Sequence, residues 1–209
     1  MSRRPLPLLL ALALALSSSP ARAQEGTVEL TGAEVLLTDR VVLPAGRYTA
    51  EVAVYDPASR RGTVVSQPFV LGEAPGADGT AASSLVLGRG AMQVEGAAGA
   101  DPFVVPGGTR VDPCPEGHFV KALGDRLVPC FRFYGRAGGV YRMKLDFLRA
   151  GKTVVSTGEL ALPVDTRGEA VVARAFGLDA FQPGDYTAVV TVTGAGGPPV
   201  TITSAFRVE

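Results

Sequence analysis

The chain has 209 residues, and its 20 basic and 20 acidic side chains give a formal net charge of zero at pH 7. Charges of both signs are scattered and form no basic stripe, so the sequence carries no electrostatic footprint for nucleic acid or for an anionic membrane. One histidine and two cysteines make an incomplete ligand set for a metal site, and no cofactor is expected.

The first 23 residues are predicted to be a cleavable signal peptide. Arg3 and Arg4 give it a positive start. Leu6–Leu16 is apolar, and Ala21–Ala23 has the small-x-small pattern that signal peptidase accepts. The apolar run is well short of the ~20 residues of a membrane-spanning helix, so a retained anchor is the less favoured alternative. We therefore expect an exported protein, periplasmic or extracellular, without a membrane span.

The remaining sequence is predicted to be all-β, because alternation of apolar and polar residues recurs between Gly, Pro and Asp clusters. Residues 24–72 form a short β unit, residues 73–82 form a linker, and residues 83–209 suffice for an immunoglobulin/fibronectin-III-like β-sandwich. The short unit has room for about four strands, predicted at Thr27–Thr31, Ala33–Thr38, Arg47–Tyr55 and Thr63–Leu71. Four such strands bury little surface, so we expect this unit to pack against the second one or to be completed by another chain.

Two segments, Leu43–Val54 and Phe181–Val192, repeat one pattern, in which a turn with glycine leads into a tyrosine and an alternating strand. A closing strand follows each of them, with Phe69 and Phe206 at nearly the same distance along the chain. We predict structural roles for the glycines and tyrosines at the two strand entries, which are Gly46, Tyr48, Gly184 and Tyr186. In immunoglobulin-like folds a tyrosine hydroxyl at such an entry bonds back to the backbone, and a ligand role is the less favoured alternative.

The clearest single hairpin lies in the second unit. Its first strand, Val140–Phe147, alternates residues predicted to face the core with charged residues, and the core-facing set is Tyr141, Met143, Leu145 and Phe147. A turn through Ala150-Gly151 and a return strand that begins at Thr153 complete the hairpin.

Cys114 and Cys130 are predicted to form a disulfide, because the expected location is oxidising. The bridge would stabilise the fold by about 3 kcal/mol in the chain-entropy model. Cys130 alternates with Phe131 and Phe133, which places it on the strand face away from the core. The bridge would then hold the loop of Cys114 on the outside of a sheet. Two free thiols or a metal site are the alternatives.

Residues 88–124 are predicted to form a long irregular loop, since Gly and Pro clusters interrupt the alternation there. A binding surface would be placed most naturally on such a loop. It contains His118, which any Ser-His-Asp or Cys-His mechanism in this chain must use. A hydrolase built on His118 is the weaker hypothesis, because no Gly-x-Ser-x-Gly elbow occurs and a disulfide-bonded Cys114 is no nucleophile. We expect a loop histidine and no catalytic residues.

Carboxylate pairs offer a second route to hydrolysis, as in glycosidases. The carboxylates considered, Asp165, Asp179 and Asp185, all lie at predicted turns, where aspartate bonds the local backbone. The chain also has no tryptophan on which a sugar could stack. The sequence therefore favours structural roles for these aspartates.

Five short segments between Val41 and Glu209 carry a family resemblance: Leu43–Tyr48, Pro68–Val70, Ser83–Leu87, Phe119–Ala122 and Leu148–Val154. In this order they resemble the region downstream of the von Willebrand factor A-like domain in a group of exported bacterial proteins, many of them from acidobacteria. The resemblance implies a tandem β-sandwich that serves as a spacer or accessory module. The Asp-x-Ser-x-Ser motif of metal-dependent adhesion does not occur here, and the match contains no A domain, so metal-dependent adhesion is not implied.

The sequence thus favours a non-catalytic accessory or protein-interaction module of the bacterial cell envelope, acting with a protein partner. A periplasmic chaperone or adhesin-like subunit is the alternative, because a short first unit suits strand exchange with a partner. An exported hydrolase is a third hypothesis and the least favoured one.

Overall fold

The computed structural model describes residues 7–16, 19–29, 43–56, 60–72, 79–94, 101, 103–194 and 196–209. The chain divides into two compact units, Met1–Ala74 and Pro75–Glu209. This boundary falls within the predicted linker, of which residues 73–78 lie outside the described residues.

Among its described residues the first unit has four strands, β1 (Pro7–Leu16), β2 (Ser19–Glu29), β3 (Gly46–Asp56) and β4 (Arg61–Leu71). They form one antiparallel sheet in the order β2-β1-β3-β4. The apolar part of the predicted signal peptide is β1, which pairs with both β2 and β3. The third and fourth strands predicted for the short unit coincide with β3 and β4, whereas the predicted strand Ala33–Thr38 lies outside the described residues.

The part of the second unit that the structure describes contains twelve further strands and one 3₁₀ turn at Lys121–Leu123. The strands are β5 (Ala81–Ala82), β6 (Val86–Gln93), β7 (Val104–Val105), β8 (Thr109–Pro113), β9 (His118–Phe119), β10 (Arg126–Tyr134), β11 (Tyr141–Arg149), β12 (Lys152–Leu162), β13 (Glu169–Ala173), β14 (Phe176–Gly177), β15 (Gly184–Gly194) and β16 (Val200–Val208). The larger sheet has the order β13-β10-β6-β8-β7, with β5 and β14 also paired to β10. The smaller sheet has the order β12-β11-β15-β16-β9.

The main core of the second unit lies between these two sheets. Phe133 of the larger sheet and Phe147 of the smaller one are fully buried in the same cluster. Phe147 meets Phe181 edge to face at 5.2 Å between ring centroids, and Phe206 packs against both rings. Each such ring contributes about 1.5–3 kcal/mol through burial. Two antiparallel-rich sheets around one apolar core confirm the predicted all-β sandwich.

The hairpin of β11 and β12 shows how the alternation produces this core. Tyr141, Leu145 and Phe147 are buried at every second or fourth position, and the charged residues between them face outward. The turn is formed by Ala150 and Gly151 with φ of 49° and 76°. Two positive φ values in a two-residue loop match the right-handed twist of the flanking strands, so this local sequence starts the hairpin as predicted.

The segment 88–124 is not the irregular loop that its composition predicts. Half of its described residues pair in short strands, because β6 runs to Gln93 and β8 returns beside it from Thr109. The glycines mark a change of register between Gly88 and Gly90 rather than a loop. At Gly88 a Cβ atom would lie 2.8 Å from the carbonyl oxygen of Asp112, so only glycine allows β8 to approach so closely.

Candidate functional site

The two tyrosines at the repeated strand entries make the same contact. Tyr48 donates its hydroxyl hydrogen to the carbonyl oxygen of Pro44 at 2.7 Å. Tyr186 donates to the carbonyl oxygen of Gln182 at 2.6 Å. In each case the acceptor lies four residues upstream, so the ring folds back over the turn that precedes its own strand. This is the tyrosine-corner geometry of immunoglobulin-like sandwiches.

Gly46 and Gly184 lie two residues before the tyrosines, and each position requires glycine for a different reason. At Gly46 a Cβ would lie 3.2 Å from the Tyr48 hydroxyl oxygen, so a side chain there would crowd the folded-back ring. Gly184 has φ of 143°, a backbone conformation that residues with a Cβ rarely adopt. Both glycines therefore serve the corner, one through space and the other through its backbone.

The strand that follows each corner is paired in the same register. Tyr48 lies opposite Phe69 and Tyr186 lies opposite Phe206, and each pair of rings is stacked, at 5.6 Å and 5.2 Å between centroids. We call β3–β4 the first hairpin and β15–β16 the second hairpin. They are structural copies of one another.

We define the apolar face of the first hairpin by every second residue of β3 and the residues paired with them on β4. They are Tyr48, Ala50, Val52, Val54, Thr63, Val65, Gln67, Phe69 and Leu71. None of these nine is charged, whereas the next pair in the same register, Asp56 opposite Arg61, ends this face with two charged residues. The opposite face carries Arg47 and Glu51, and Glu51 accepts a hydrogen bond from the Ser66 hydroxyl at 3.2 Å. This opposite face also carries the exposed valines Val64 and Val70, so the first hairpin is amphipathic in the distribution of its charges.

The equivalent face of the second hairpin lies in the main core. Tyr186, Val190 and Phe206 are at most 4% exposed there. On the first hairpin Tyr48, Val52 and Phe69 are only half-buried, and Val65 is 62% exposed. The same pattern of residues is thus covered by an opposing sheet in one unit and accessible in the other, which makes the apolar face the candidate interaction site.

The predicted disulfide between Cys114 and Cys130 is not present, since both residues are free thiols in the structure. Cys114 belongs to the main core between the sheets, whereas Cys130 belongs to a second cluster with Val111 and Val128. The two cysteines therefore point to opposite sides of the larger sheet. The prediction that Cys130 faces away from the main core agrees with its cluster, but β7 and β8 cover that face, and burial raises the pKa of its thiol.

In the part of the chain that the structure describes, the His118 side chain has no hydroxyl or thiol partner. Its side chain is 45% exposed, and its Nε2 lies 3.2 Å from a carboxylate oxygen of Glu209. The Cys114 thiol donates a hydrogen bond to the backbone carbonyl oxygen of His118 at 3.3 Å, and not to its side chain. The Cys114 sulfur also accepts a long contact from the Arg89 guanidinium at 3.6 Å. The geometry gives a histidine held at the surface by a carboxylate, without the base–nucleophile contact that hydrolysis requires.

A cleft of about 500 Å³ lies beside β13 and is lined by Val104, Arg132, Asp165, Arg167 and Glu169 among others. Its charges compensate one another, because Arg167 lies 3.0 Å from Asp165 and 3.7 Å from Glu169. The backbone N–H groups of Glu169 and Arg167 and the Arg167 guanidinium lower the pKa of Asp165. A carboxylate held ionised in this way forms a turn and is unsuited to act as a general acid.

Two classes of site find no support in the part of the chain that the structure describes. No group of three or more His, Cys, Asp or Glu side chains is placed to hold a metal ion there. Within the same residues, no helix has the length and apolar character that a membrane crossing requires.

Comparison with known proteins gives no family. No protein-family model matches the chain, and no curated protein matches it. Among solved structures, the crystal structure of dimeric latent PorU from Porphyromonas gingivalis is similar over 98% of this chain, with 13% sequence identity and a TM-score of 0.36. The chain spans only 16% of the length of that structure, and a likeness at this level carries no argument about function.

Sequence reasoning missed the accessible valines of the first hairpin and the partner of His118. Val64 and Val65 are each 62% exposed on opposite faces of β4. Two adjacent valines interrupt the alternation of this strand, and that interruption was the available signal. Glu209 gave no signal, because its contact with His118 arises only from the parallel pairing of β9 with β16.

Proposed function

We propose that this protein is a non-catalytic accessory module of the bacterial cell envelope, exported by its signal peptide, and that its first unit binds a protein partner through the apolar face. The observation that carries the proposal is the contrast between the two hairpins. A face that is uncharged from Tyr48 to Val54, and that is buried in one copy and half-exposed in the other, is the expected mark of an interaction surface.

The position of the proposed leader bears on the first unit. Signal peptidase cleavage after Ala23 removes the whole of β1 and residues Ser19–Ala23 of β2. The first hairpin then remains with its corner, its stacked rings and its apolar face. A hairpin of two strands is marginal in water and gains stability when another element packs against it. Of the described strands, the mature first unit then keeps β3, β4 and residues Gln24–Glu29 of β2, and we infer that this form gains stability from a partner.

Val64 and Val65 allow a matched test, because they are equally exposed neighbours on opposite faces of β4. A photo-crosslinking residue is placed at either position in the exported protein. We expect a discrete protein adduct from position 65, on the apolar face, and none from position 64. Equal crosslinking at the two positions, or none at either, contradicts the proposal.

A further inference from the structure

β3 pairs with β4 on one side and with β1 on the other, and β1 shows what kind of strand can bind at that second edge. β1 pairs with β3 in antiparallel orientation from Leu9 opposite Tyr55 to Ala15 opposite Thr49. If the leader is removed, as the proposed function requires, β3 loses this neighbour along its length. Backbone N–H and C=O groups on that side then have no partner strand among the residues that the structure describes, which makes the edge a template for another strand.

The second unit contains the equivalent edge, and it is occupied there. β11 pairs with β15 in antiparallel orientation, on the side away from β16. The strand order β12-β11-β15-β16 therefore corresponds to the order β2-β1-β3-β4 in the first unit. Each copy of the hairpin has an antiparallel neighbour on the same side.

The two neighbouring strands place the same residue types at equivalent positions. In the first unit Ala50, Val52 and Val54 of β3 lie opposite three leucines of β1, which are Leu14, Leu12 and Leu10. In the second unit Ala188, Val190 and Val192 of β15 lie opposite three large apolar residues of β11, which are Phe147, Leu145 and Met143. Two unrelated sequences thus meet one requirement, a large apolar residue opposite each member of an Ala-x-Val-x-Val strand.

We propose that β3 of the processed protein is a strand-acceptor edge that binds an extended segment of a partner protein in the place of β1. The segment runs antiparallel to β3 and carries large apolar residues at three alternate positions. Backbone hydrogen bonds to β3 provide affinity, and the alternate apolar residues, which lie across from Ala50, Val52 and Val54, provide specificity. The proposal rests on the proposed function, since it requires that the leader is removed.

A second copy of β3 is a poor occupant of the same edge. Two copies paired antiparallel about a two-fold axis at the strand centre place Glu51 opposite or beside Glu51 of the other copy. Like charges directly opposite one another destabilise a strand pair. β1 carries no charged residue, and the central position of β11 opposite Val190 is Leu145. The charge of Glu51 therefore favours a heterologous segment.

The test uses the protein recovered after export and, as probe, a labelled synthetic peptide with the Tyr141–Arg149 sequence. The control peptide replaces Met143, Leu145 and Phe147 by serine. We expect saturable binding of the first peptide with slower hydrogen exchange of β3 amides. Binding of the serine peptide should be at least about tenfold weaker, since three cross-strand apolar pairs are lost. The unprocessed chain, in which β1 occupies the edge, should also bind the first peptide at least about tenfold more weakly.

A pair of protein variants refines the test. Val52→Lys places a charge on the apolar face of β3 and should abolish binding, whereas Val64→Lys, on the opposite face of β4, should leave it unchanged. Equal affinity for the two peptides overturns the acceptor edge even if a variant fails to fold. The acceptor edge is also overturned if the processed protein sediments as a dimer and its β3 amides are protected from exchange without peptide. Mass spectrometry separates the two proposals: a processed protein that ignores the peptide overturns the acceptor edge alone, and an intact leader overturns both.

Discussion

The first and second hairpins share a glycine, a tyrosine corner, a stacked phenylalanine and one register, yet they differ in burial. Val190 is 1% exposed between two sheets, while its equivalent Val52 is only half-buried. The local sequence encodes the corner and the amphipathic pairing, and these form in both units. Whether the apolar face is covered depends on a second layer, which the hairpin sequence does not encode. A copy of this hairpin without an opposing sheet therefore shows which face of the hairpin needs to be covered.

The largest expected difference between the hairpins concerns the stacked phenylalanines. Phe206→Ala should lower the free energy of unfolding of the second unit by about 3–5 kcal/mol, because its ring fills a closed core beside Phe147 and Phe181. Phe69→Ala should cost roughly 1 kcal/mol, since its half-exposed ring has less transfer free energy to lose. Hydrogen exchange of the amides of β3 and β15 in the full chain measures both effects. Equal losses would mean that the apolar face is covered in both units.

A smaller effect is expected at the corners. Tyr186→Phe removes the hydroxyl that donates to Gln182 in a part-buried setting and should cost about 1–1.5 kcal/mol. In Tyr48→Phe the freed carbonyl oxygen of Pro44 is solvated, and the loss should be about 0.5 kcal/mol or less. The same exchange experiment compares the two variants. A larger loss for Tyr48 than for Tyr186 would contradict the ranking.

The smallest expected effect is on the pH dependence of stability, and it concerns an acid-sensitive contact of the second unit. The Arg110 guanidinium, at 2.8 Å, and the Phe103 N–H lower the pKa of Asp101. The stabilisation is present above the unfolded pKa of ~3.9 and is lost as pH falls through the lower folded value. Asp101→Asn should therefore reduce stability at pH 6 and approach the parent protein near pH 2, as denaturation at several pH values will show.

Asp185→Asn is the matched control for this prediction. Asp185 lies 3.8 Å from Arg207 with an 83% exposed side chain, so its ion pair is strongly screened by solvent. The control should leave the pH profile unchanged. The prediction is contradicted if the loss of stability at low pH becomes smaller in Asp185→Asn and not in Asp101→Asn.

What the sequence predicts well here is local. Tyr48 and Tyr186 stand out because turn, tyrosine and alternating strand lie within one short segment, and Ala150-Gly151 specifies its own turn. Features that depend on pairing between strands distant in the sequence are predicted poorly. Cys130 is correctly assigned to the face opposite Phe131, but nothing near it indicates that β7 and β8 cover that face.

The segment 88–124 shows the same limit from another side. Glycine usually signals a loop, and here Gly88 instead permits the close approach of β8, a requirement that comes from a residue elsewhere in the chain. The candidate site is similar. The amphipathic character of β3 and β4 is readable from alternation, but the exposure of the apolar face is a property of the sheets around it.

The separation of Cys114 and Cys130 into two buried clusters has a consequence for biogenesis. Because the two free thiols are buried in separate clusters, a bond between them could form only if the second unit opened. Once β7 and β8 have closed over Cys130, its thiol is shielded from exchange with other proteins. In the exported protein that we propose, the Cys130 thiol would be open to incorrect oxidation only before β7 and β8 cover it.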